Sequence, residues 1–176
     1  MSVPDTTCTV AGYLSFIRNV MVISEEVLPD NSIWVGGTFN VAYNRVNPAI
    51  RKFRNVNNVP PYTSPSPWPT PFALAVYNLA GDRLINFAQD LPDADPVDGS
   101  NPAQPYFAYM RSQLKILSYV GGTVQSTSDE GTSVGLVVPK AMENFTLADL
   151  QNLKTPWGRN YMGIAQEYGP SGWGLS

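Results

Sequence analysis

The chain has 176 residues, of which 43% are apolar and only 14% charged, and it carries 16 prolines against 14 glycines. That is the size of one domain with enough apolar mass to bury a core. Eleven Lys and Arg against 14 Asp and Glu leave a net charge of −3, which gives no general attraction for phosphate backbones or anionic membranes. Histidine is absent and Cys8 is the lone thiol; this excludes a disulfide within the chain, a His/Cys zinc site and any catalytic arrangement built on a histidine base.

The apolar stretch near the N-terminus is interrupted by Arg18 and Asn19 and has no basic segment ahead of it. No signal peptide is therefore expected, and synthesis and retention in a cytoplasm are. Between Tyr13 and Ile23, the residues Leu14, Phe16, Ile17, Val20, Met21 and Ile23 recur at three- and four-residue intervals and predict a short helix. Leu28-Pro29-Asp30-Asn31-Ser32 reads as a turn ending in a helix cap. A second helix follows from Ile33 to about Val46, burying Val35, Phe39, Ala42 and Val46, weakened by Gly36 and Gly37 and ended by Asn47-Pro48.

Arg45, Arg51, Lys52 and Arg54 form a basic segment, after which Pro60, Pro61, Pro65, Pro67, Pro69 and Pro71 crowd twelve residues. Such a density excludes helix and central strand and predicts an extended, polyproline-like arm or a long surface loop over residues 56–71, with Tyr62 and Trp68 as side chains for it to bury. The longest uncharged run, residues 55–81, is too rich in Pro, Asn and Ser to cross a membrane as a helix. A strong helix is expected from Phe72 to about Gln89, with Phe72, Val76, Ala80, Leu84 and Phe87 or Ala88 inward and Asn78, Asp82 and Asn86 as exceptions. Residues 90–105 form a turn-rich acidic loop containing Asp90, Asp93, Asp95 and Asp98, and Pro105 suits the first position of the next helix.

That helix should run from Tyr106 to about Leu117, burying Phe107, Met110, Leu114 and Leu117, with Gly121-Gly122 beyond it. Residues 123–138 are rich in Thr, Ser, Val and Gly around Ser128-Asp129-Glu130 and predict a β-hairpin or a protruding loop. Thr146-Leu147-Ala148-Asp149 resembles a capping box for a short helix carrying Leu147, Leu150 and Leu153. Thr155-Pro156 opens the last helix, which buries Trp157, Tyr161, Ile164 and Tyr168 and stops at Gly169-Pro170, leaving residues 169–176 as a tail.

No residue is assigned to catalysis, to a cofactor or to a metal. Gly131-Thr132-Ser133-Val134-Gly135 matches the nucleophile-elbow pattern, but an elbow needs a strand-turn-helix setting and a histidine base. Neither a phosphate loop nor a dinucleotide fingerprint occurs. The Asp90–Asp98 run lacks the residue order of a calcium loop, and Asp129-Glu130 reads as a solvated tip. Asn144-Phe145-Thr146 is a glycosylation sequon, without meaning in a chain that is not secreted. The basic Arg45–Arg54 segment and the acidic Asp90–Asp98 loop read either as two independent exposed loops or as a complementary pair, the basic segment of one copy facing the acidic loop of another in a head-to-tail contact that closes into a ring when the rotation allows.

The order of elements, the Ala75-Val76-Tyr77-Asn78-Leu79-Ala80-Gly81 helix, the Ser128-Asp129-Glu130-Gly131 loop and the closing Leu150-to-Tyr161 segment with Thr155, Pro156, Trp157, Gly158 and Tyr161 resemble the head-tail connector, or adaptor, proteins of tailed bacteriophages. The resemblance spans about residues 13–168. It implies one connector-like domain over residues 1–176, mainly α with a β-hairpin or extended-loop insertion (α+β), in which a small helical bundle carries the Pro-rich arm and the tail. It also implies a ring, commonly of twelve subunits, beneath the portal in the virion, extending the DNA channel and joining head to neck or tail without chemical turnover. The partners are then other copies, the portal, the next neck or tail protein and DNA that passes without sequence-specific binding.

On this reading Tyr168, Trp173 and Leu175 dock to the portal. Ser128, Asp129 and Glu130 face the channel or neck. Arg45, Arg51, Lys52, Arg54, Tyr62, Trp68, Asp90, Asp93, Asp95 and Asp98 make contacts between subunits. The competing expectations are another neck, tail-completion or capsid-associated protein, and a cytoplasmic binding module that offers its Pro-rich segment as a ligand.

Overall fold

The computed structural model describes residues 8–47, 49–50, 70–100, 102–116, 123–127, 134–137 and 147–168. Over these residues the chain is mainly helical. In order come α1 (Val10–Asn19), α2 (Ile33–Arg45), α3 (Pro71–Phe87), α4 (Tyr106–Gln113), β1 (Thr123–Thr127), β2 (Val134–Val137), α5 (Leu147–Asn152) and α6 (Pro156–Tyr168). None of these helices is long and apolar enough to cross a membrane.

Caps set the helix starts. The Thr9 hydroxyl accepts from the Gly12 N–H at 3.1 Å to open α1, and Ser32 accepts from the Trp34 N–H at 3.3 Å to open α2. The turn before α2 closes through the Ser32 N–H on the Pro29 carbonyl at 2.9 Å. The α2 stripe lies as its spacing predicts, with Val35, Phe39, Ala42 and Val46 all buried. In α1 the buried set is Tyr13, Phe16 and Ile17; Val20, expected inside, is exposed because the helix ends at Asn19 and the chain turns before Met21 and Ile23 re-enter the core.

Thr70 caps α3 through the Ala73 N–H at 3.1 Å, with Pro71 at its first position. The last proline of the expected arm therefore belongs to a helix, since the first turn has no use for the N–H that proline lacks. α3 is the centre of the molecule, packed against α6 and α2, and it is buried on nearly every side. Asn78 and Asp82, read as exceptions on an otherwise apolar face, are both buried, while Phe87 is exposed and Ala88 takes the inward place. The rings of Tyr13, Phe39 and Tyr77 meet at centroid separations of 6.0–6.5 Å and tie α1, α2 and α3 together.

Pro105 stands at the cap of α4 rather than at its first helical position. Proline has no side-chain acceptor to offer there, and Asp90 supplies one from across the loop: its carboxylate oxygens accept from the Phe107 N–H at 2.7 Å and the Ala108 N–H at 3.1 Å. α4 ends at Gln113, short of the expected Leu117, where Lys115 takes a left-handed backbone (φ 51°). β1 and β2 pair antiparallel, Thr123 opposite Val137 and Thr127 opposite Val134, with an irregularity between Val124 and Ser126. The residues joining the two strands, 128–133, lie outside the described set.

Candidate functional site

The Thr155-Pro156-Trp157-Gly158 motif is a joint. Thr155 is fully buried, and its hydroxyl both accepts from the Gly158 N–H at 2.9 Å and donates to Asp82 Oδ1 of α3 at 2.6 Å. One side chain thus caps α6 and fastens it to the central helix. Pro156 occupies the first helical position. Glycine is required at 158 because a Cβ there would overlap the Asn152 carbonyl at the end of α5 and fall 2.7 Å from Asp82 Oδ1. Trp157 and Met21 close over Gly81, whose missing side chain leaves the space they fill. Tyr161 is buried, and its hydroxyl accepts from the Asn47 N–H at 3.4 Å, which ties α6 to the end of α2.

Within this joint, burial pushes the Asp82 carboxyl up to about 6; the Thr155 hydrogen bond, Arg83, Asn86 and Lys154 pull the other way. The buried side of α6 differs from the expected stripe. Tyr161 is buried as expected, but Gly158, Met162 and Ala165 face inward with it and Trp157 and Ile164 are only half-buried, because the closest approach to α5 and α3 is made at Gly158.

A second feature lies on the surface of α2 and α3. Ile33, Trp34, Val41 and Phe87 line an apolar groove of about 310 Å³ whose edge is Arg83. Ile33 is 81% exposed, Phe87 56% and Val41 41%. Arg83 and Phe87 also line a smaller cleft of mixed character, about 200 Å³, shared with Asp82, Asn86, Gln151 and Lys154. The Arg83 Nε is buried with no hydrogen-bond partner among the described residues. Burial, then the like charge of nearby Arg45, pulls this guanidinium below its ordinary value.

The residues expected between subunits divide. Asp90 is committed within the chain to the α4 N-terminus, with Arg111 4.0 Å away; Arg111 itself donates to the Ile85 and Ala88 carbonyls at the end of α3. Arg45, Asp93, Asp95 and Asp98 are exposed. Arg51, Lys52, Arg54, Tyr62, Trp68, Ser128, Asp129, Glu130, Trp173 and Leu175 lie outside the described residues, as does the side chain of Tyr168. The elbow-like Gly131–Gly135 stretch runs into strand β2, where an elbow needs a helix. Among the described residues, no three His, Cys, Asp or Glu side chains are grouped to hold a metal ion.

No family model, curated protein or solved structure matches the chain.

Sequence reading missed Arg83 and the groove. Arg83 follows buried Asp82 on a helix that looks like pure core, and the signal that was available is the large apolar pair Ile33-Trp34 placed directly after a cap, where helices usually carry polar residues.

Proposed function

We propose that this chain is a structural virion protein of a tailed bacteriophage, a head-tail connector or adaptor that forms a ring below the portal, extends the DNA channel and joins head to neck or tail. The observation that supports it is the joint at Thr155–Gly158. The residues through which the sequence resembles connectors are the ones that fasten the last helix to the central helix, through Thr155 on Asp82 and through the space left by Gly158. The resemblance therefore rests on determinants of a fold; a short match on a surface loop would carry no such weight. The exposed apolar face of α2 and α3 suits a protein that neighbours cover. The work is mechanical: copies hold one another, the portal and the next neck or tail protein, and DNA slides through.

The test is location. An epitope-tagged copy is supplied during growth of the phage that encodes the chain, and purified virions are labelled with antibody to the tag. Label at the head-tail junction, on rings released when particles are disrupted, is expected. Label on the capsid face or tail tip, or virions without the chain, overturns the proposal.

A further inference from the structure

We propose that the groove between α2 and α3 is filled by the Leu91–Ala94 turn of a neighbouring copy, with Leu91 in the apolar groove and Asp93 paired with Arg83. The proposal rests on the connector reading in taking a second copy as the occupant. The rest of the argument comes from the two surfaces.

The groove has an apolar half and a cationic half. Ile33, Trp34, Val41 and Phe87 supply the first; Arg83, with Arg45 nearby and Lys154 in the adjoining cleft, supplies the second, and its cations outnumber the one carboxylate there, Asp82, which is bonded to Thr155. Arg83 as a whole is only half-buried and lines the groove, so a carboxylate docked there meets its guanidinium, whose buried Nε has no partner among the described residues. The volume of about 310 Å³ is about twice that of a cavity that accepts one benzene ring, so it takes one or two side chains of a turn and not a helix.

The turn carries the matching chemistry in the matching order. Leu91 is 45% exposed, Pro92 and Asp93 are exposed beside it, and Asp95 and Asp98 follow. The Ala94 N–H bonds the Leu91 carbonyl at 3.1 Å, and Asp90, one residue earlier, is pinned to the start of α4. The knob is therefore preformed, and docking it costs little ordering entropy. Ile33 and Leu91 are both exposed in the same chain, so the turn does not fill its own groove. A groove on α2 and α3 and a knob on the α3–α4 connection are different patches, which allows a head-to-tail contact that closes into a ring.

Three proteins test the contact: wild type, a turn variant (Leu91→Ser with Asp93→Asn) and a groove variant (Arg83→Glu), each first shown to be folded by thermal unfolding. Sedimentation velocity and the Trp34 indole and Gly37 amide resonances are followed up to about 1 mM chain, where even a contact near 4 kcal/mol is half formed. Wild type should self-associate with movement of both resonances, and each variant should lose about tenfold or more in affinity. An equal mixture of the two variants retains one good groove and one good turn, so it should give a 1:1 dimer and nothing larger. Monomeric wild type at 1 mM, unchanged association of the turn variant, or no dimer in the mixture overturns the contact. Virions carrying normal rings of the turn variant would overturn the contact and leave the connector reading standing. Loss of association in both variants with the wild-type chain missing from the head-tail junction would overturn the connector reading alone.

Discussion

Val22 has a left-handed backbone (φ 56°) and a side chain that is 76% exposed, an unfavourable position for a β-branched residue. Its surroundings impose it. Met21 and Ile23 on either side are both buried, and the Arg18 guanidinium donates to the Ile23 carbonyl at 2.8 Å and the Leu28 carbonyl at 2.6 Å while pairing with Asp30. The left-handed form costs a non-glycine residue roughly 1–2 kcal/mol, and glycine returns part of that relief through its freer unfolded chain. Val22→Gly should therefore raise stability by about 0.5–1 kcal/mol, read as a higher urea midpoint at unchanged slope; a lower midpoint would show that Val22 makes contacts that outweigh its backbone. None of this was legible in the sequence. Arg18 read only as a break in an apolar stretch, because its partners are main-chain carbonyls five and ten residues away that periodicity does not see.

At the scale of elements, legibility followed side-chain size. The apolar stripe of α2 could be read because Val35, Phe39, Ala42 and Val46 are ordinary apolar side chains at helical spacing, whereas buried Thr38 and exposed Ile33 and Val41 run against the pattern. The α3 stripe of Phe72, Val76, Ala80 and Leu84 was legible in the same way, but the joint of α3 with α6 was not, because that contact is made by Gly158, Thr155 and Asp82, which no apolar pattern scores. The caps at Ser32 and Thr155 were legible, being local, whereas the Asp90 cap spans 17 residues of loop and looked like one more surface charge. The price of the α3–α6 joint is a buried carboxyl. With Asp82 pushed up to about 6 from 3.8, the folded state binds a proton that the unfolded state has released. Stability from this group is therefore fully present below about pH 4, is lost as pH rises through about 6, and stays lost above. Asp82→Asn keeps an oxygen to accept from Thr155 and removes the titration. The variant should gain on wild type by on the order of 2–3 kcal/mol between pH 4 and pH 7. Chemical denaturation of both proteins at the two pH values measures it, and equal differences at the two would mean that Asp82 titrates normally in the fold.

For the whole molecule the question is what holds copies together, and ionic strength separates the answers. The chain is acidic overall, at −3, so two copies repel weakly at long range. The proposed contact works against that by placing Asp93 on Arg83, with Arg45 and Lys154 near and Asp95 and Asp98 following in the turn. Raising NaCl from 0.1 to 1 M shortens the Debye length from about 10 Å to about 3 Å. That weakens the general repulsion and the rim charges alike, and spares only the innermost pair. Because the opposite charges sit at the contact and the net charge is small, the lost attraction outweighs the lost repulsion. Self-association should then fall several-fold in 1 M NaCl, measured by sedimentation at matched chain concentration. A contact carried by Ile33, Trp34 and Phe87 alone would be unchanged or tightened in salt, since apolar burial does not depend on screening. The Arg83→Glu variant sharpens the comparison: it should associate weakly at both 0.1 M and 1 M NaCl, because the repulsion it sets against Asp93 lies at the innermost pair, which salt spares, and full recovery at 1 M would show that position to be open to screening.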